Sequence, residues 1–443
     1  MTTPICDFVR RYAEREPLRL HMPGHKGLGP QENRLDITEI DGADSLYEAS
    51  GIIRESEQNA GRLFGADTFY STEGSSLCIR AMLCLAVTYA KSAKQKPLIA
   101  AGRNVHKTFL SAAALLDFDI LWLNSHETDS YLSCRITAED LEALFTTATP
   151  TALYLTSPDY LGNMLDIGAI AKVCKKHGVL LLIDNAHGAY LKFLPSSRHP
   201  IDLGADLCCD SAHKTLPVLT GGAYLHISKH ASPFFKEHAK DALALFGSTS
   251  PSYLILGALD AANSYLSDGY PAHLADFVKK IQNCKTHLTA QGYTVIGNEP
   301  MKLTLAAKSY GYTGKELAGL LAMQNIECEF SDPDYTVLMP TPEIEDTGLL
   351  HMETALLDIP QKAPITQTPP PFAPTERALS IREAILSPSE TIYIEQAEGR
   401  ILASASVGCP PAVPIAVCGE VLTKETIAAF RYYNITHVSV IKT

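Results

Sequence analysis

The sequence lacks a positive charge excess, a repeated CxxC spacing and a long apolar run. With 37 Lys and Arg against 49 Asp and Glu, its formal net charge is -12, so we expect no nucleic-acid or membrane partner. The 11 cysteines stand mostly in apolar stretches and predict buried thiols rather than disulfides or a metal site. The charged stretch after Met1 does not resemble a secretory signal. We therefore expect a soluble cytoplasmic protein without a bound metal.

The chain has enough length and apolar content for two or three domains, since it contains 443 residues, 46% of them hydrophobic. From about Ser56 to Ile227, short apolar runs alternate with helical patterns. The runs are "KPLIAAGR", "DFDILWLN", "TALYLTSPDY", "VLLLIDNAH", "ADLCCDSAHK" and "GGAYLHI". This alternation predicts an α/β fold with a mainly parallel sheet covered by helices.

Changes of pattern along the chain predict five segments. An N-terminal arm at 1–50 precedes a large α/β domain at 51–270 and a smaller α/β domain at 271–360. The proline-rich stretch "PITQTPPPFAPTE" indicates a linker at 361–376. The remaining residues, 377–443, mix helices and strands in a C-terminal domain too small to be stable unless it packs on the rest of the chain.

Several polar residues stand where predicted parallel strands end, which is where ligands gather in open α/β sheets. Asp184 ends the most apolar strand, where a carboxylate is costly without a charged partner. Lys214 follows another strand, in "SAHKTL". Ser75 and Ser76, with Thr72 and Gly74 before them, stand at the start of an apolar helix, where they form either a phosphate cradle or an ordinary helix cap.

A phosphate cradle, a strand-end aspartate and a lysine thirty residues later are the groups needed to hold pyridoxal phosphate. Five motifs extend this pattern in order along the chain: "HMPGHKG", "DITEIDGADSL", "TSPDYLG", "SAHKTLP" and "FGSTSPSY". Together they resemble the motifs of the Orn/Lys/Arg decarboxylases, which are fold-type-I pyridoxal-phosphate enzymes with an aspartate aminotransferase-like large domain.

The resemblance implies a role for each matching residue. Lys214 would bind the cofactor as a Schiff base, Asp184 would pair with its pyridine nitrogen, and the ring of His106 would stack on it. His187 would lie near the face or phenolic oxygen of the cofactor. The groups around the phosphate would be Gly74, Ser75, Ser76, Ser211 and His213, and Ser248 and Thr249 would reach it from a second subunit.

The C-terminal segment "PPAVPIAVCGE" departs from the family pattern. Ala412 replaces the usual glycine and Cys418 the usual proline, while Glu420 is retained as a candidate for substrate contacts. The carboxylates of Asp41 and Asp44 are weaker candidates, since solvated loop charges explain them as well. Because "HMPGHKG" begins at His21, the chain resembles the short form of the family without an N-terminal wing domain, for which a homodimer or a dimer of dimers with shared active sites is expected.

The resemblance implies decarboxylation of arginine, lysine or ornithine to the amine and CO2, as in polyamine biosynthesis. Two alternatives remain open at this point. The same lysine and aspartate serve other fold-type-I reactions, such as aminotransfer or elimination. Alternatively, the chain is a binding protein that keeps the fold but has lost the catalytic activity.

Overall fold

The computed structural model describes residues 1–123, 130–371, 375–405, 407 and 412–442. The chain divides into two compact units. Unit 1 comprises Met1–Pro97, Glu142–Ser157 and Asp166–Ala275. Unit 2 comprises Leu98–Leu141, Pro158–Leu165 and Asp276–Thr443. The five-segment division expected from the sequence stays a prediction.

Helices and strands alternate through the first half of the chain. The helices and strands of the whole described chain are given next. In chain order they are α1 (Pro4–Glu14), α2 (Ile52–Phe64), β1 (Ala66–Ser71), α3 (Gly74–Ser92), β2 (Leu98–Gly102), α4 (Lys107–Leu116), β3 (Asp119–Leu123), α5 (Ala138–Phe145), β4 (Ala152–Thr156), α6 (Ile167–His177), β5 (Leu180–Asp184), β6 (Leu207–Asp210), α7 (Ala212–Thr215), β7 (Ala223–Ser228), α8 (Pro233–Ala244), α9 (Tyr253–Ser267), α10 (Tyr270–Ala290), β8 (Val295–Ile296), β9 (Leu303–Ala306), α11 (Gly314–Ala322), β10 (Phe330–Ser331), β11 (Tyr335–Leu338), α12 (Glu345–Leu357), α13 (Ile381–Leu386), β12 (Ser389–Tyr393), α14 (Lys424–Tyr432) and β13 (His437–Ile441).

The main sheet has seven strands in the order β1-β7-β6-β5-β4-β2-β3. The pairs β2–β3, β4–β5 and β5–β6 are parallel, whereas β7 runs antiparallel to both β1 and β6. The prediction of a mainly parallel sheet in an α/β fold is confirmed, and all six apolar runs form strands. Strand β7 is antiparallel because the chain turns back after β6 without a long crossover helix.

The strands that carry the site are apolar because both faces of the sheet are covered. In β5, Leu181, Leu182 and Ile183 are all buried, and every residue of β6 is buried. Helix α6 ends where the sequence predicts, with Gly178 in the left-handed conformation at φ 68°. Each strand therefore has a fixed register that delivers its last residue to the edge of the sheet.

Unit 2 contains two smaller antiparallel sheets, β10-β11-β9-β8 and β12-β13. The second lies with α14 around a core that includes Leu402, Leu422, Phe430 and Val440. Among the described residues, none of the helices combines the length and the apolar character that crossing a membrane requires.

Candidate active site

Asp184 is a buried carboxylate at the end of β5. It is 2% exposed and accepts hydrogen bonds from the Tyr154 hydroxyl at 3.0 Å and the backbone N–H of Ala186 at 3.1 Å. Burial raises the pKa of Asp184, although the nearby charge of Lys214 opposes that rise. A cationic group beside Asp184 would offset the free-energy cost of keeping this buried carboxylate ionised. The sequence predicts such a charged partner.

Lys214 lies one strand away, on the short helix α7 that follows β6. Its Nζ is 3.1 Å from Nε2 of His187. Because β5 and β6 are parallel neighbours, with Asp184 opposite Cys209, the residues that follow their ends meet at one edge of the sheet. The structure thus brings Lys214, His187 and Asp184 together.

The first turn of α3 forms a cradle of backbone and hydroxyl groups. Gly74 opens the helix at φ 69° and donates its N–H to the carbonyl of Gly221 at 2.7 Å. Ser75 follows it, and its hydroxyl accepts a 2.7 Å hydrogen bond from Ser211. A side chain at Gly221 would come within 2.9 Å of the Thr72 carbonyl oxygen, so the approach of these loops requires glycine.

His213 and Ser76 complete this group. The ring of His213 approaches Gly74, and its Nδ1 is 2.9 Å from the carbonyl oxygen of Gly222. Ser76 lies in the first turn of the 19-residue helix α3, where the helix dipole favours an anion. The residues of unit 1 that are predicted to surround the phosphate therefore lie together near the start of α3.

Ser248 and Thr249 lie in an exposed loop after α8. The backbone N–H of Ser248 donates a 2.6 Å hydrogen bond to the Glu73 carboxylate, and Glu73 directly precedes the cradle glycine. Within one chain, this loop is thus tied to the residue before the cradle. Their predicted reach to a second subunit stays a prediction.

Behind the site, Asp210 forms a buried network that the sequence analysis did not find. One carboxylate oxygen accepts from Nε2 of His199 at 3.0 Å and of His226 at 3.1 Å, and the other accepts from Asn185 at 2.7 Å. Burial alone would raise the pKa of Asp210, but the two histidines outweigh it and hold the pKa well below its usual value.

His199, Cys208 and Asp210 bring their potential metal-ligand atoms within 4.8 Å of one another. Nδ1 of His199 accepts the backbone N–H of Ile201 at 3.4 Å, so its Nε2 carries the hydrogen that is donated to Asp210. The group is thus satisfied as a hydrogen-bond network, and it links the residue after Asp184 to the residue before Ser211.

His106 belongs to unit 2, where it caps α4. Its Nδ1 accepts from the backbone N–H of Thr108 at 3.2 Å. The next residue, Lys107, donates its backbone N–H to the carbonyl of Ala412 at 2.8 Å. Ala412 adopts φ 68°, so the alanine keeps the left-handed conformation that the usual glycine would take freely.

Glu420 forms a buried ion pair within unit 2. Its Oε2 lies 3.3 Å from the Arg103 guanidinium and accepts the backbone N–H of Val417 at 2.7 Å. Arg103 also lies over the Trp122 ring, 5.1 Å from its centroid. Glu420 therefore already has a cationic partner in its own chain, and its contact with substrate stays a prediction.

Asp44 has a structural role at the start of α2. Its carboxylate accepts backbone N–H groups from Ser45, Ser50, Gly51 and Ile53 at 2.8 to 3.0 Å. Burial would raise the pKa of Asp44, but these hydrogen bonds outweigh it and lower the pKa. Asp41 is exposed.

Comparison with known proteins gives one consistent result. A sequence model described as "Orn/Lys/Arg decarboxylase, major domain" matches residues 3–348, and one for the C-terminal domain of the same family matches residues 365–440. An arginine decarboxylase from Halalkalibacterium halodurans is 30% identical over 98% of this chain and 93% of its own. An arginine decarboxylase from Bacillus subtilis is 29% identical over 96% of this chain and 92% of its own.

Solved structures show the same fold. A lysine decarboxylase from Francisella novicida matches with a TM-score of 0.81 at 15% identity, covering 99% of this chain and 81% of its own. The constitutive lysine decarboxylase of E. coli matches with a TM-score of 0.78 at 17% identity, covering 100% and 82%.

Proposed function

Since the chain belongs to the Orn/Lys/Arg decarboxylase family, we propose that it removes the α-carboxylate of a basic amino acid as CO2, with arginine as the favoured substrate. It is a decarboxylase whose cofactor is pyridoxal phosphate. The choice of arginine is supported by the names of relatives that are 29 to 30% identical to this chain. The amine released would enter polyamine biosynthesis.

The residues of unit 1 fit this cofactor. The buried Asp184 carboxylate needs a cationic partner, which a protonated pyridine provides. The cradle at Gly74, Ser75 and Ser211 offers hydroxyls and helix N–H groups suited to a phosphate. Lys214 supplies an amine for covalent attachment to an aldehyde. The convergence of these three functions at one sheet edge is the observation that carries the proposal.

When bound, pyridoxal phosphate supplies an electron sink for the pair left as CO2 departs. Asp184 would hold positive charge at the pyridine nitrogen, and the Tyr154 hydroxyl fixes the orientation of that carboxylate. Lys214 and His187 are close enough to pass a proton between Nζ and Nε2. The cradle at Ser75 and Ser211 would hold the phosphate and so orient the bound cofactor.

We propose a cytoplasmic homodimer, or a dimer of dimers, with shared active sites. The N-terminal arm supports this, because Leu18 and Leu20 are each 85% exposed and Leu28 is 76% exposed. Apolar side chains exposed along one segment indicate a surface that another protein covers. The ten described cysteines are free thiols, which supports a reducing compartment.

The test is to incubate the purified protein with arginine, lysine and ornithine in turn, measuring CO2, amine and keto acid. We expect CO2 and amine in equal amounts, fastest from arginine, and covalent attachment of the cofactor to Lys214 after borohydride reduction. Lys214→Ala should abolish turnover, whereas the exposed control Lys229→Ala should not. Keto acid without CO2 would point to aminotransfer instead, and turnover by Lys214→Ala would overturn the assignment.

A further inference from the structure

Asp210 is a buried carboxylate behind the candidate active site, and none of the steps proposed above uses it. It ends β6 and is 0% exposed. His199 and His226 donate to one of its oxygens at 3.0 and 3.1 Å, and the Asn185 amide donates to the other at 2.7 Å. A buried carboxylate is costly without such donors, and buried hydrogen-bond networks of this kind make the surrounding structure rigid. Asp210 therefore fixes where these neighbours lie.

The first of these neighbours, Asn185, stands in the turn between Asp184 and His187. Its side-chain amide donates to Oδ1 of Asp210, and its backbone carbonyl accepts the N–H of Gly188 at 2.8 Å. A Cβ at Gly188 would fall 2.0 Å from Oδ1 of Asn185, so the turn closes tightly over this amide and requires glycine. The bond to Asp210 therefore holds the turn that carries Asp184 at one end and His187 near the other.

The residue after Asp210 is Ser211, which belongs to the phosphate cradle. The Ser211 hydroxyl donates to Ser75 at 2.7 Å, and its backbone carbonyl accepts the N–H of Lys214 at 3.0 Å. Asp210 also forms the last residue pair between β6 and β7, opposite Tyr224. Its side chain and its backbone thus both fix the point at which the chain leaves the sheet. The positions of Ser211 and Lys214 depend on that point.

The far side of the network is anchored in neighbouring strands. Nδ1 of His226, in β7, lies 2.9 Å from the hydroxyl of Thr68, its cross-strand partner in β1. The ring of Phe64 lies 4.4 Å from the ring of His226 and 5.5 Å from that of His199, measured between centroids. Both histidines and Phe64 are 0% exposed. The carboxylate of Asp210 is therefore held from behind by the core of unit 1.

We propose that Asp210 is a positioning residue for the cofactor, acting through Asn185 on Asp184 and through Ser211 on the phosphate cradle. The inference rests on the proposed site, in which Asp184 and the cradle hold two different parts of pyridoxal phosphate. Because the cofactor ring is rigid, these two supports need a fixed separation. A buried residue joined to both of them supplies it, as the groups behind a binding site do when they hold the side chains that contact the ligand.

The experiment measures the dissociation constant of pyridoxal phosphate by equilibrium dialysis of the cofactor-loaded protein, and records the absorbance of the bound cofactor. Asp210→Asn keeps the side-chain shape but replaces one acceptor oxygen by a donor NH2 group. We expect it to weaken cofactor binding about tenfold or more and to shift the absorbance, because buried donors lose their acceptor and the supports lose their fixed separation. The control is Asp206→Asn, which changes a half-buried carboxylate at the opposite end of β6 and should alter neither measurement.

A second variant exchanges the two groups that join Asp210 to the turn. Asn185→Asp combined with Asp210→Asn restores a hydrogen bond between an amide and a carboxylate, with donor and acceptor reversed and with shape and total charge unchanged. We expect this double variant to bind the cofactor more tightly than Asp210→Asn alone. Recovery of this kind requires a direct link between positions 185 and 210, which a general loss of stability does not provide.

Circular dichroism shows whether each variant is folded. Asn185→Ser removes only the link to the turn and leaves both histidines on Asp210, so it decides the matter should Asp210→Asn unfold. Folded variants with wild-type cofactor affinity and absorbance would overturn the proposal even if they were less stable, as would a double variant that recovers nothing. A wild-type protein that releases no CO2, while its cofactor affinity still depends on Asp210, would instead count against the proposed function alone.

Discussion

The Tyr154 hydroxyl donates a 3.0 Å hydrogen bond to Oδ2 of Asp184. Both side chains are buried, and burial followed by the charge of Asp184 raises the pKa of Tyr154, so the phenol keeps its hydrogen. The bond fixes a carboxylate that is otherwise expensive to bury. Tyr154 therefore positions Asp184, whose pKa depends on whether a cation is present beside it.

Asp184→Asn should have opposite effects on the protein with and without its cofactor. Burial raises the pKa of Asp184 above 3.8, so the folded cofactor-free protein holds a proton more tightly than the unfolded chain does. Its stability should fall as pH rises from 3.8 through the raised pKa. The amide does not titrate, so the variant should lose that slope and, without cofactor, be at least as stable at neutral pH.

With cofactor bound, the same variant should lose stability and turn over slower by orders of magnitude, each tenfold loss being about 1.4 kcal/mol of barrier. Thermal unfolding of the cofactor-free and cofactor-bound forms across pH measures these opposite effects on stability. Asp268→Asn, at an exposed position, is the control. A cofactor-free variant that keeps the wild-type pH slope would show that Asp184 is not the titrating group.

Glu420→Gln should destabilise the protein, because the Arg103 guanidinium would remain buried without a counter-charge. The side chains are only 10% and 8% exposed, and removing one partner of a buried pair costs about 3 to 5 kcal/mol. The exposed pair of Arg431 and Glu395 provides the comparison, since Glu395→Gln should cost at most about 1 kcal/mol. Chemical denaturation measures both, and equal losses would contradict the structural role of the buried pair.

Ala412→Gly should stabilise the protein. A left-handed alanine costs about 1 to 2 kcal/mol, while glycine adds about 0.4 to 1 kcal/mol of unfolded-state entropy, so the net gain should lie between about 0 and 1.6 kcal/mol. Ala143→Gly, at an exposed site in α5, should instead lose about 1 kcal/mol. The denaturant midpoints of the two variants, measured side by side, test this prediction. A loss of stability on Ala412→Gly would indicate that the Cβ of Ala412 makes a compensating contact.

Hybrid dimers should regain activity if Ser248 and Thr249 serve the partner's site. Lys214→Ala and a variant altered at both positions should each be inactive, and mixing them under conditions that exchange subunits should restore CO2 release above either parent. The hybrid would then contain one intact site. No recovery despite proven exchange, or a fully active monomer at low concentration, would count against sharing.

The strand ends could be predicted because each lies where an apolar run stops at a polar residue, as at Asp184 and before Ser211. Tyr154 could not, because a tyrosine inside an apolar strand resembles ordinary core until the register places it beside Asp184. His199 and His226 were missed for a similar reason: Asp210 lies 11 and 16 residues from them along the chain, and only the fold shows that they share it as a partner. Asp210 gave the one available signal, as a carboxylate in a strand otherwise fully apolar.

The network around Asp210 also constrains how the chain can evolve. His199, His226 and Asn185 reach this carboxylate from three different segments, and Thr68 is 2.9 Å from Nδ1 of His226. Replacing one histidine alone would take a donor from a buried charge, whereas losing the carboxylate alone would leave three buried donors unsatisfied. These positions should therefore change together among descendants of this chain, as one inherited unit spread over 159 residues of sequence between Thr68 and His226 counted inclusively.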